Sequence, residues 1–295
     1  MSIRPRRSVL YMPGANARAL DKARSLPADA VILDLEDSVA PDAKQLARDQ
    51  VVAAVRAGGF GEREVIIRIN ALHAPWGQDD LAAAAAAAPH GILVPKVNSG
   101  TDLLALGTEL DQIGVPAHVA VWAMMETPAA FLNAAEIAAS VRQTAGRRLA
   151  AFVIGTNDLA KETRARLIPG RAPMLAWLST AVLAARAHGI DVIDGVCNDL
   201  DNLDAFRAEC LQGLDLGMDG KTLIHPKQIE IANHVFSPTP AEIDWATRIL
   251  AAFALPENAA KGVISLDGRM VERLHADMAA RTVAIAEAIA ARTAA

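Results

Sequence analysis

The chain has 295 residues, 52% of them hydrophobic, and a formal net charge of -5, enough apolar material for one large domain or a barrel with an appendage. No basic block is present to neutralise phosphates, which excludes electrostatic capture of nucleic acid. Two cysteines, Cys197 and Cys210, cannot make a disulfide framework and fit a reducing compartment as small buried residues.

The start, Met-Ser-Ile-Arg-Pro-Arg-Arg, is basic, but the apolar run behind it stops at Pro13-Gly14. That is too short for a signal peptide or a membrane span, so a soluble cytoplasmic protein is expected. The first apolar run is Ser8 to Met12, and a helix follows over Ala15 to Ser25 with Arg18 and Lys22 four apart on one face. Ala30 to Leu35 reads as a buried strand ending in Glu36-Asp37, and Pro41-Asp42 opens a helix to about Arg56. Glu64 to Asn70 is a third strand, with Arg68 near its carboxyl end, followed by an alanine-rich helix over Gln78 to Ala88.

Gly91 to Val94 is a fourth strand, ending in Pro95-Lys96 and leading into a helix over Thr101 to Ile113. His118 to Met125 is the fifth and ends in Glu126, beside the helix start Thr127-Pro128. Leu149 to Ile154 is the sixth, followed by Gly155-Thr156-Asn157-Asp158. A long helix over Pro173 to His188 leads to a seventh strand, Ile190 to Ile193, ending at Asp194. After a helix over Leu203 to Leu211, an eighth strand is expected at Leu214 to Met218, closed by Asp219-Gly220-Lys221.

Apolar runs without polar alternation suit parallel strands covered on both faces. Eight such units within about 235 residues match a (β/α)8 TIM barrel, here over 1–236. A doubly wound open sheet is the runner-up, weakened because no glycine-rich dinucleotide fingerprint follows the first strand. Residues 237–295 read as a small helical extension with one extended segment, Gly262 to Leu266, and a turn at Asp267-Gly268.

In a barrel all the strand ends share one rim, where active sites form. That rim would collect Glu36, Asp37, Arg68, Lys96, Glu126, Asp158, Asp194 and Lys221. Rim salt bridges, such as Lys96 with a neighbouring acid, are the alternative reading of any single charge. Glu126 and Asp158, on adjacent strand ends, suggest a shared divalent cation. The seven histidines do not pair at metal spacing, so the carboxylates favour Mg²⁺ or Mn²⁺ over Zn²⁺. Arg68 beside them suggests a substrate that develops an oxyanion.

Several stretches carry a family resemblance. They are Arg7-Ser8-Val9-Leu10-Tyr11-Met12-Pro13-Gly14, Leu33-Asp34-Leu35-Glu36-Asp37-Ser38, Arg68-Ile69-Asn70, Met125-Glu126-Thr127-Pro128, Gly155-Thr156-Asn157-Asp158-Leu159 and Gly220-Lys221-Thr222-Leu223-Ile224-His225-Pro226. With the tail Gly262 to Val271, these resemble the citrate lyase beta subunit (CitE-like) family of the HpcH/HpaI aldolase and CoA-ester lyase superfamily. The resemblance implies a homotrimer or hexamer of TIM barrels that cleaves 3-hydroxyacyl-CoA thioesters to acetyl-CoA and a 2-oxo acid by a retro-Claisen step. It implies Mg²⁺ on Glu126 and Asp158, with Glu36 and Asp37 supporting the metal's waters and Arg68 polarising the carbonyl that becomes the enolate. The amides of Gly155, Thr156 and Asn157 would grip the carboxylate of the keto-acid half. Arg18 and Lys22 either meet CoA phosphates or are ordinary surface charge. Arg68, Asp37 and Glu272 are the catalytic candidates.

Glu272 is a departure, because relatives usually carry Asp just after the Met-hydrophobic pair, serving a neighbouring subunit's site as acid/base. The extra methylene changes reach by about 1.5 Å, and a misplacement of that order can cost about a hundredfold in rate. A CoA-independent aldolase of the same superfamily, and a weakly catalytic acyl-CoA-binding protein or subunit of a larger lyase complex, are the alternatives.

Overall fold

The computed structural model describes residues 3–294. Two compact units divide the chain: Arg6–Phe236, and Ser237–Ala295 with Met1–Pro5.

The larger unit is a closed barrel of eight parallel strands in sequence order, β1 (Ser8–Pro13), β2 (Ala30–Asp34), β3 (Glu64–Arg68), β4 (Gly91–Val94), β5 (Ala120–Met125), β6 (Leu149–Ile154), β7 (Asp191–Asp194) and β8 (Gly220–Leu223), with β8 pairing back onto β1. The helices are α1 (Ala17–Lys22), α2 (Lys44–Ala57), α3 (Gly77–Ala87), α4 (Gly100–Gln112), α5 (Pro128–Leu132), α6 (Ala134–Ala139), α7 (Thr156–Thr163), α8 (Leu175–Arg186), α9 (Leu203–Asp215) and α10 (Ile229–Val235). The continuous apolar strands predicted from sequence have this cause. One side of β1 to β7 fills the barrel, where Val9, Ile32, Ile66, Leu93, Trp122, Val153 and Ile193 pack together. The other side meets the helices in a larger cluster that includes Leu10, Leu33, Ile67, Phe152 and Phe206.

One predicted strand is displaced. Leu214 lies in the last turn of α9, and the chain then turns at Gly217 (φ 90°) before β8 begins at Gly220. The leucines read as strand belong to the helix's end, and the real strand, Gly-Lys-Thr-Leu, was obscured by its polar residues. Gly220 is required there: a Cβ would run into the backbone of Arg6 and Arg7.

At the amino end of the barrel, Arg6 closes the interior. Its guanidinium donates to Glu64 at 2.7 and 2.8 Å and to Asp191 at 2.7 Å, and it lies 4.8 Å from the centre of the Trp122 ring. Two acids and an aromatic face hold one cation, an arrangement that closes this end of the barrel.

The smaller unit contains α11 (Pro240–Ala254), strands β9 (Val263–Leu266) and β10 (Arg269–Glu272), and α12 (Arg273–Ala294). β9 and β10 form an antiparallel hairpin whose turn, Asp267-Gly268, takes φ 50° and 74°. Two successive positive φ values are the mark of a hairpin turn matched to strand twist. Ile249, Phe253, Ile264 and Val271 form its core.

Candidate active site

The carboxyl ends of β2 and β3 place a buried ion network. Arg68 ends β3, and its Nε and Nη2 donate to the two oxygens of Asp34 at 2.6 and 2.7 Å. Its Nη1 lies 3.2 Å from Asp37 Oδ2 and 2.8 Å from Glu36 Oε2, and its guanidinium carbon stands 4.8 Å from the centre of the Tyr11 ring. Burial alone would raise the Asp34 carboxyl, but Arg68 holds it below its ordinary value. Three acids around one guanidinium keep Arg68 charged and fix its plane.

Glu36 is the weakest partner of that set. Among the described residues its buried Oε2 has no aligned hydrogen-bond donor, despite the nearness of Arg68. Burial pushes its carboxyl up to about 8 against the pull of Arg68. The loop carrying Glu36 and Asp37 is held from beneath. Lys44 Nζ donates to the carbonyls of Leu35 and Glu36 at 2.8 and 2.7 Å and to Asn70 Oδ1 at 2.7 Å, and Asn70 Nδ2 donates to Leu35 O at 2.8 Å.

The ends of β5 and β6 supply the acid pair. Glu126 is 1% exposed, and its Oε1 accepts from the Lys96 backbone N–H at 2.8 Å. Burial raises its carboxyl above the ordinary value. Gly155 follows β6 and lies directly against Glu126. A Cβ there would overlap the Glu126 Cβ and stand 2.9 Å from its Oε2. Asp158 lies in the first turn of α7. Its Oδ1 accepts from Lys96 Nζ at 2.6 Å, and the same ammonium is 3.5 Å from Glu126 Oε1.

The Arg68 network and Asp158 of the acid pair meet in a cavity of about 290 Å³ lined by Tyr11, Asp34, Asp37, Arg68, Thr156, Asn157 and Asp158 among others, while Glu126 lies buried outside that lining. The sequence-predicted Arg68, Asp37, Thr156, Asn157 and Asp158 therefore face one space. Whether a divalent cation suits the acid pair is answered by what the pair already holds, since a lysine ammonium sits between the two carboxylates as a stand-in cation. Among the described residues no three His, Cys, Asp or Glu side chains cluster as metal ligands. Two carboxylates with positions left over for water and substrate oxygens suit Mg²⁺, which keeps several of its waters.

Other expectations fall elsewhere. The Gly155 amide donates to Met125 O at 2.9 Å, so it extends the sheet and is not offered to a substrate carboxylate. Gly155 instead makes room for Glu126. Thr156 and Asn157 keep first-turn positions in α7, where backbone N–H groups have no partner within the helix. Arg18 and Lys22 lie exposed on α1. Glu272 ends β10 in the smaller unit, its backbone N–H donating to His275 Nδ1 at 2.9 Å.

Asp194 and Lys221 are not rim charges open to substrate. Lys221 donates to Asp194 at 2.8 Å and to Glu209 on α9 at 2.6 Å, while Arg171 donates to Asp194 at 2.6 Å. Both Asp194 and Lys221 are fully buried, so this network ties α9 to the barrel wall.

Asp34 and Tyr11 carried no functional reading in the sequence, whereas the rim salt bridge allowed there for Lys96 is present, to Asp158 and Glu126. Asp34 was hidden inside an apolar run. Its signal was an acid within that run, which can remain ionised only beside a cation.

A parallel barrel with an acid pair and a caged arginine on its carboxyl rim defines a class of enzyme site suited to stabilising an oxyanion. The model of the HpcH/HpaI aldolase/citrate lyase family matches residues 7–226, and the chain belongs to that family. It is 50% identical over 287 residues to a (3S)-malyl-CoA thioesterase of Cereibacter sphaeroides, covering 97% of this chain and 96% of the relative. It is 34% identical over 274 residues to citrate lyase subunit beta of Escherichia coli, covering 91% and 89%. Among solved structures it resembles the protein CitE of Mycobacterium tuberculosis in complex with magnesium, acetoacetate and coenzyme A. The TM-score is 0.74 and the identity 29%, over 95% of this chain and 97% of that one.

Proposed function

We propose that the protein is a magnesium-dependent carbon–carbon lyase. It cleaves a 3-hydroxyacyl-CoA thioester of citryl, malyl or citramalyl type to acetyl-CoA, or a homologue, and a 2-oxo acid. The observation that carries this reading is one cavity that receives both Arg68, caged by Asp34, and Asp158 of the acid pair. The family relatives named above supply the substrate class.

The 3-hydroxyl of the substrate passes its proton to the Asp37 carboxylate, which lines the cavity, the C2–C3 bond breaks, and the electron pair moves onto the acetyl thioester as an enolate. Arg68 presents a fixed positive charge to the thioester oxygen as that negative charge develops, and its acid cage removes the cost of reorienting it. The Thr156 and Asn157 amides, at the start of α7, take the carboxylate of the 2-oxo acid half. Glu126 and Asp158 would hold Mg²⁺, which when bound supplies positive charge to the substrate's oxygens. Glu36 and Asp37 would hold water beside it. Glu272, from a neighbouring chain of a homo-oligomer, returns a proton to the acetyl carbon. Arg18 and Lys22 meet the CoA phosphates. Two buried free thiols, Cys197 and Cys210, favour a reducing cytoplasm.

A second reading is favoured by the relative that is 50% identical over nearly the whole chain and is named a thioesterase. There the C–S bond would break by addition of water, giving a free hydroxy acid and CoA thiol. Purified protein with a panel of 3-hydroxyacyl-CoA thioesters and Mg²⁺ separates the two. Release of 2-oxo acid without matching free thiol is expected, and free thiol with no 2-oxo acid would replace the lyase reading with the hydrolytic one.

A further inference from the structure

The acid pair already holds a cation of the chain's own, the Lys96 ammonium. We propose that Lys96 is an internal counter-cation of Glu126 and Asp158, occupying their shared position in the metal-free protein and yielding it when a divalent cation binds. The inference rests on the reading of these two acids as metal ligands.

The geometry is specific. Lys96 grips the pair through its ammonium, 2.6 Å from Asp158 Oδ1 and 3.5 Å from Glu126 Oε1, and through its backbone N–H, 2.8 Å from Glu126 Oε1. The backbone at Lys96 is left-handed, φ 56°, a conformation that glycine or asparagine adopts more readily. It is held there by Asn98, whose Nδ2 donates to Lys96 O at 3.0 Å and whose Oδ1 accepts from the Thr127 hydroxyl at 2.6 Å. Such a conformation persists where its surroundings over-determine it. Here those surroundings point the Lys96 amide at Glu126 and let the side chain reach Asp158. The anchored part is the backbone, so the ammonium can leave without releasing the amide from Glu126.

An ammonium and a divalent ion cannot share the same two oxygens, because like charges at contact separation repel. The displaced side chain has a destination. Lys96 also lines a second cavity of about 360 Å³, together with His73, Gln78, Asp102 and Glu109. The arrangement neutralises the buried pair while it is empty, and it lowers apparent metal affinity by the fraction of time that the lysine is away.

The test measures metal binding rather than turnover. Metal-stripped full-length wild type, Lys96→Met, Lys96→Gln and Glu126→Gln are titrated with Mn²⁺, following free ion by electron paramagnetic resonance. Wild type should bind one ion per chain and Glu126→Gln should not. Both Lys96 variants should bind at least about tenfold more tightly, with a larger metal-induced rise in Tm. Unchanged or weaker binding by a folded Lys96 variant overturns the inference. Equal binding by wild type and Glu126→Gln, or none by wild type, instead overturns the ligand assignment beneath it. A measurement on wild type alone decides the matter if neither lysine variant folds. Saturating Mg²⁺ should speed modification of the Lys96 amine by an acylating reagent, read by mass spectrometry, and an equal or slower rate overturns the inference.

Discussion

Gly155 lies so close to Glu126 that a methyl group on it would overlap the Glu126 side chain and stand 2.9 Å from its carboxylate oxygen. The bare Cα after β6 therefore sets the position of the buried acid at the end of β5. Gly155→Ala should fold, at a cost of about 1–3 kcal/mol for the overpacked site. It should also push Glu126 off its position and lower kcat/KM by about a hundredfold. Steady-state kinetics beside chemical denaturation check both. Wild-type kcat/KM in the alanine variant would mean that Glu126 does not need this position.

Asp34 holds Arg68 through two short hydrogen bonds in a buried setting. Asp34→Ala leaves the guanidinium without its main partner, and stability should fall by about 3–5 kcal/mol, the range seen when one member of a buried pair is removed. Because Arg68 would then lose its fixed orientation, kcat should fall more than KM rises. A folded variant with only KM changed would place Arg68 in binding rather than in charge stabilisation.

Burial raises the Glu36 carboxyl from an ordinary 4.5 to about 8. The folded state thus holds this proton more tightly than the unfolded state. That contribution is full below about pH 4.5 and is lost as pH rises through about 8. In metal-free protein, Tm should therefore drop more steeply with rising pH across this window in wild type than in Glu36→Gln. Parallel Tm profiles would show that Glu36 does not titrate in this way.

Arg6 serves the opposite end of the barrel. Its removal in Arg6→Ala strands Glu64 and Asp191 beside each other's network without their shared cation, so stability should fall by about 3–5 kcal/mol. Activity per folded molecule should change less than about twofold, because the substitution is remote from the carboxyl rim. A large loss of kcat in the folded fraction would contradict that separation of roles.

The barrel was legible because parallel strands buried on both faces must be continuous apolar runs, and seven of the eight runs lie where those strands form. The eighth was misplaced because Lys221 and Thr222 are buried polar residues inside a strand, stabilised by partners on β7 and α9 that no local pattern displays. The same limit governs the site. Glu126, Asp158 and Arg68 were readable as charges that end apolar strands. Asp34, the last residue of β2, and the joint grip of Lys96 on both acids acquire their meaning only from residues brought close by barrel closure.

Lyase chemistry at Glu126 is tested most directly by 2-oxo acid release from a malyl-CoA-type thioester, comparing wild type with Glu126→Gln at saturating Mg²⁺. Wild type should release 2-oxo acid and acetyl-CoA together, only when Mg²⁺ is present, and Glu126→Gln should be at least about a thousandfold slower. Equal rates in the two proteins, or a wild type that yields only free CoA thiol, would contradict it.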